Sequence, residues 1–168
     1  MRKVIIALLV IVSIGTACHK NNSTFDYDPC AIKATALSTD TLNGYLKKLE
    51  PTAAEYLCDG QSTGLFYKII NPGTGVAPSD NANILITYKL SYISAADTSF
   101  VTVPQSAGPV NFPLATLIDA WRKGLPLIKK SGIIHLYLAP RLGYNGEAHP
   151  GMPAYSYLFF DITLVDVQ

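Results

Sequence analysis

Charge is scarce in this chain: 15% of its 168 residues are charged, thirteen basic against twelve acidic. No basic stripe runs through it, so nothing is available to neutralise a phosphate backbone, and nucleic acid is excluded as a partner. The lysine pairs Lys47, Lys48 and Lys129, Lys130 are too small for a patch and are expected on solvated helix or turn faces. Ligands for metal are as sparse. His19, His135 and His149 are scattered, and neither Cys30 nor Cys58 has a second Cys or His at ligand spacing, so neither a metal nor a cofactor is expected. The glycines of Gly73-Thr74-Gly75 lack a following helix and a Gly-Lys-Ser/Thr, which argues against a phosphate loop. The leading apolar run, Val4 to Val12, is nine residues, well short of the about twenty that cross a bilayer.

What is present begins with a leader. Met1-Arg2-Lys3, the apolar run and then Ser13 to Ala17 make a charged n-region, an h-region and a small-residue cleavage zone, so residues 1–17 read as an export signal. Small residues directly before Cys18 resemble a bacterial lipobox, in which the cysteine becomes a lipidated N-terminus and a membrane anchor. Ordinary cleavage near Ala17, with Cys18 incidental, is the alternative. If Cys18 carries lipid, Cys30 and Cys58 remain as an even pair in an oxidising compartment, expected as a disulfide.

The mature chain is long enough for one domain, and its ten tyrosines, six phenylalanines and eleven prolines favour strands and turns. Residues 18–63 read as a tether followed by a helical extension: Thr41, Leu42, Tyr45, Leu46 and Leu49 fit an amphipathic helix stopped before Pro51, and Ala53 to Leu57 a further helical turn. From Gly64 to Gln168 strands dominate. Leu65 to Ile70, Ala82 to Tyr92, Val101 to Val103, Gly132 to Pro140 and Tyr155 to Val167 alternate, with Ile84, Ile86, Tyr88 and Leu90 on one face. Between them, Leu114, Leu117, Ile118 and the single tryptophan, Trp121, fall at i, i+3, i+4 and i+7. That spacing predicts one short helix that begins at Pro113, ends at Gly124 and turns Asp119, Arg122 and Lys123 to solvent. The fold class is α+β: a twisted antiparallel sheet wrapped around one short helix, with a small N-terminal helical extension.

The order of these words resembles the FKBP family of peptidyl-prolyl cis/trans isomerases. Gly64-Leu65-Phe66-Tyr67, Gly73-Thr74-Gly75-Val76-Ala77-Pro78, Ile84-Leu85-Ile86-Thr87-Tyr88, Phe100, Phe112-Pro113-Leu114, Leu117-Ile118-Asp119-Ala120-Trp121, Gly124-Leu125, Pro140-Arg141-Leu142-Gly143-Tyr144 and Met152-Pro153 with Leu158-Phe159-Phe160 follow the family's sequence of motifs. The resemblance implies an enzyme acting on proline-containing, unfolded or exported polypeptides without a cofactor. It assigns the catalytic pocket to Tyr88, Phe100, Ile118, Trp121, Tyr144 and Phe160, and further substrate contacts to Val110, Phe112, Leu117 and Met152. Trp121 would be the floor, and the Ile118 N–H and Tyr144 hydroxyl would hold substrate carbonyls. Three positions depart from the pattern: Val101 stands where an aspartate follows the loop phenylalanine, and Ala120 and Asn145 replace glycines. A catalytically weak proline-binding or chaperone-like domain, or a surface lipoprotein that binds without catalysis, are the competing functions.

Overall fold

The computed structural model describes residues 27–104 and 108–168; the leader, Cys18 and the first part of the tether lie outside them. In chain order the elements are α1 (Ala36–Leu49), β1 (Ala54–Cys58), β2 (Gln61–Asn71), β3 (Asn83–Ile93), β4 (Phe100–Val103), β5 (Val110–Pro113), α2 (Asp119–Gly124), β6 (Ile133–Leu138) and β7 (Leu158–Val167). The strands form one antiparallel sheet in the order β1-β2-β6-β7-β3-β4. β5 shares the outer edge of β3 with β4, pairing Asn83 to Ile86 while β4 pairs Leu90 to Ile93. The fold is α+β, an antiparallel sheet with a short helix and an added N-terminal helix.

Alternation decides which side of each strand is buried. On β7, Leu158, Phe160, Ile162 and Leu164 are at most 1% exposed, whereas Phe159, Asp161 and Thr163 point to the other face. The first face meets Leu65, Ile84, Ile86, Leu90, Ile134 and Leu136 from neighbouring strands and is closed by Trp121 and Leu125. Burying each such side chain contributes about 1.5–3 kcal/mol. The second face has its own core, in which Leu42 and Leu46 of α1 cover Phe66, Ile93 and Tyr137. α1 starts at Thr35, whose hydroxyl accepts from the Ser38 N–H at 3.2 Å, and ends with Lys47 and Lys48 in its last turn. Cys30 and Cys58 form a disulfide with Cα atoms 5.4 Å apart, joining the segment before α1 to β1.

Three expectations are corrected. Ala54 to Cys58 is a strand, because Asp59 and Gly60, both at positive φ (51° and 73°), make the two-residue turn that folds β1 back on β2. The sheet therefore starts N-terminal to Gly64, which lies within β2. The single helix expected from Pro113 is broken. Pro113 closes β5, and the Leu114 N–H is held by the Ala82 carbonyl at 2.9 Å; a 3-10 turn follows, and Leu117 and Ile118 are extended (ψ 167° and 150°) before α2 begins at Asp119. Strand pairing overrides the helical period here. Finally, the polar side of α2 is covered: Lys123 is 2% exposed and paired with Asp119. Gly124 is the last residue of α2 for reasons of space, since a Cβ there would stand 2.6 Å from Leu136 Cδ2.

Candidate functional site

β3, α2 and β7 bring three aromatic rings together. Tyr88 lies mid-β3 on the face of Ile84, Ile86 and Leu90, and Phe160 on β7 pairs directly with Leu90. Trp121, on the first full turn of α2, stands edge-on to both. Its ring centroid is 5.0 Å from Tyr88 at 81° and 5.2 Å from Phe160 at 87°, while Tyr88 and Phe160 are 6.1 Å apart. Such T-shaped pairs add about 0.5–1.5 kcal/mol each beyond burial. Phe160 is fully buried and Trp121 4% exposed, so Phe160 backs the other rings from inside the core.

Around this base lie half-buried side chains. Phe112, Leu117, Ile118 and Tyr144 pack on the same cluster with Tyr88 and Tyr92, and Met152 is buried in it. Burial holds the Tyr144 hydroxyl above the ordinary tyrosine range, with the neighbouring Tyr88 adding to the shift. At the base of the cluster, two donors find no partner among the described residues. The Trp121 indole N–H is buried without one, and the Ile118 N–H, placed in the extended break before α2, makes no hydrogen bond although its carbonyl accepts from Trp121 N at 3.0 Å and Arg122 N at 3.3 Å. A donor without a partner in the folded protein offers a place for a ligand carbonyl.

Two expected residues are elsewhere. Phe100 pairs with Ile93 on the opposite face of the sheet, where its ring lies 4.5 Å from Phe159 and 6.2 Å from Tyr137 under the cover of α1. A period of two moves a residue to the other face with a shift of one position, so Val101, opposite Tyr92, is the β4 residue on the sheet face that holds the aromatic cluster. Val110 pairs with Ile86 but is 37% exposed and stands at the margin. Among the departures, Ala120 is fully buried, and Asn145 adopts φ 50°, a left-handed conformation that asparagine tolerates better than most residues.

His149 escaped the reading of the sequence. Its ring is 4.1 Å from that of Tyr144, and its Nε2 is buried with no hydrogen bond, Glu147 Oε2 being 3.9 Å away. The signal was Pro150-Gly151: with Gly151 at φ 78° they make a tight turn closed by Met152 N to His149 O at 2.9 Å. That turn sets His149 and Met152 side by side at the edge of the cluster. Tyr27 was missed too; its hydroxyl donates to Asp119 Oδ1 at 2.7 Å, on the far side of α2.

The site is thus an apolar aromatic base with an unpaired backbone donor and a phenol beside it. Such a surface suits a proline ring and one flanking carbonyl. Comparison with known proteins identifies the family. The family model described as FKBP-type peptidyl-prolyl cis-trans isomerase matches residues 75–165, more than half of the chain. The chain is 37% identical over 107 residues to the FKBP-type peptidyl-prolyl cis-trans isomerase FkpA of Escherichia coli, covering 64% of this chain and 39% of that protein. It is 29% identical over 108 residues to the peptidyl-prolyl cis-trans isomerase Mip of Coxiella burnetii, covering 64% of this chain and 46% of that protein. It therefore spans less than half the length of these relatives. The crystal structure of FkpA from Escherichia coli superposes with a TM-score of 0.63 at 32% identity, over 79% of this chain and 58% of that one. With fold, motif order and family model in agreement, the chain belongs to the FKBP-type peptidyl-prolyl cis-trans isomerase family.

Proposed function

We propose that the protein catalyses cis/trans isomerisation of X-Pro bonds in exported polypeptides. Resonance keeps the amide planar behind a barrier of ~18–20 kcal/mol, and a catalyst must favour the twisted amide, whose nitrogen has lost conjugation. The observation that carries the reading is the edge-on contact of Tyr88 and Trp121 at 5.0 Å, next to the unpaired Ile118 N–H. Trp121 and Tyr88 would receive the proline ring, Leu117, Phe112 and Met152 the residues around it, and Ile118 N–H and the Tyr144 hydroxyl the carbonyls of the turning bond. Preplaced donors in a water-poor setting act on the twisted state without reorganising. No cofactor enters this chemistry.

The leader motif supports export, and the small residues before Cys18 support a lipid anchor that holds the domain at a membrane surface. A Cys18→Ser chain that still incorporates labelled fatty acid would remove that part of the reading.

For the isomerase, the test is acceleration of an X-Pro peptide and of a proline-limited refolding reaction by the folded chain. A folded protein without acceleration overturns it. One observation favours a second reading: with Val101 in place of a carboxylate on the cluster face, the domain would bind proline segments and turn them over slowly. Peptide binding without acceleration distinguishes the two.

A further inference from the structure

α2 has six residues, too few to hold their own conformation, yet its start carries Ile118 and its first turn Trp121. What steadies it lies outside the sheet. We propose that Tyr27 and Lys123 are positioning residues: the segment 27–32 is a strap clamped across the outer side of α2, and the clamp sets where Trp121 and the Ile118 N–H stand. The catalytic consequence rests on the isomerase reading above.

The clamp has four contacts. The Tyr27 hydroxyl donates to Asp119 Oδ1 at 2.7 Å; the Lys123 ammonium pairs with Asp119 Oδ2 and donates to the Ile32 carbonyl at 2.7 Å; and the Arg122 guanidinium lies 3.4 Å above the centre of the Tyr27 ring. Lys123 and Asp119 have side chains 0% and 8% exposed, so neither charge is solvated. A buried charge is tolerated only while its partners stay in place. Departure of the strap would take the carbonyl of Ile32 from Lys123 and the hydroxyl of Tyr27 from Asp119 together. The strap is itself fastened, by Cys30–Cys58 to β1 and by Ala34 N to Thr63 O at 2.8 Å.

The lever is short. Asp119 follows Ile118 directly, and Arg122 and Lys123 follow Trp121, so a shift of the clamped side turns the residues that face the proline site. A cavity of about 320 Å³, lined by Tyr27, Ile32, Leu117 and Arg122, gives α2 room to shift when the clamp is loosened.

The test uses the full chain. Tyr27→Phe removes one hydroxyl and keeps the ring under Arg122, so folding is preserved; Lys123→Met, which keeps the stem without the charge, is the stronger perturbation. Two readouts are taken well below the unfolding midpoint: kcat and KM for an X-Pro peptide, and the emission of Trp121, the only tryptophan in the chain. Tyr27→Phe is expected to lower kcat about three- to tenfold at nearly constant KM and to shift the Trp121 emission, with Lys123→Met larger in both. A purely structural clamp would lower the midpoint and leave kcat and emission at wild-type values, and that result overturns the proposal. If the wild-type chain accelerates no peptide, the isomerase reading fails separately, and unchanged Trp121 emission in Tyr27→Phe then refutes the clamp.

Discussion

Val101 lies on the cluster face of β4 with a side chain that can neither accept nor donate a hydrogen bond, while the Tyr144 hydroxyl is held above its usual pKa by burial. The two residues give opposite predictions. Val101→Asp should raise kcat/KM severalfold in the X-Pro assay by supplying a carboxylate beside the site. Tyr144→Phe should lower kcat/KM about tenfold while the denaturant midpoint moves by less than the equivalent of about 1.5 kcal/mol, the worth of one hydrogen bond. A third prediction concerns His135, on the α1 face of the sheet, edge-on to Phe159 at 5.1 Å. Burial lowers its pKa below 6.5, outweighing the opposing pull of Asp161. The unfolded chain thus binds this proton more readily, and the contribution to stability is full above pH 6.5 and lost as pH falls through the window below it. Thermal midpoints should fall from pH 7 toward pH 5, and His135→Gln should flatten that slope.

At the scale of elements, strands were the more legible. The alternation of β3 and β7 made their faces legible in the sequence, because a period of two runs along strands of ten residues or more, but their partners were not, since alternation carries no information on which strand lies alongside. α2 was half legible. Leu114, Leu117, Ile118 and Trp121 do enter one core, but through a 3-10 turn and an extended step rather than one helix, since pairing of β5 with β3 holds the chain as far as Leu114. The side of α2 read as solvated was mistaken because its cover, residues 27–32, is distant in sequence and has no periodicity of its own. Phe100 was assigned to the pocket by resemblance alone, and the sequence does not tell which face β4 presents, because that depends on register with Ile93. At this scale Gly124→Ala is informative. Its Cβ would meet Leu136 at 2.6 Å, and overpacking of this kind costs about 1–3 kcal/mol, to be seen as a lower denaturant midpoint.

Across the whole molecule, the sheet is covered on one face by α2 and on the other by α1, and the Cys30–Cys58 bond encloses all of α1 in its loop. Closing a loop of 28 residues' separation stabilises by about 3–4 kcal/mol on the chain-entropy account, so the Cys30→Ser, Cys58→Ser double variant should unfold at correspondingly lower denaturant. β7, last of the strands, is not at an edge. It lies between β6 and β3 and is the seam joining a half-sheet of β1, β2 and β6 to one of β3, β4 and β5. Phe160 is on that seam, behind Tyr88 and Trp121. On the isomerase reading, assembly and competence for proline are therefore one event: a chain in which β7 is not yet placed has two unjoined half-sheets and no ring behind its tryptophan.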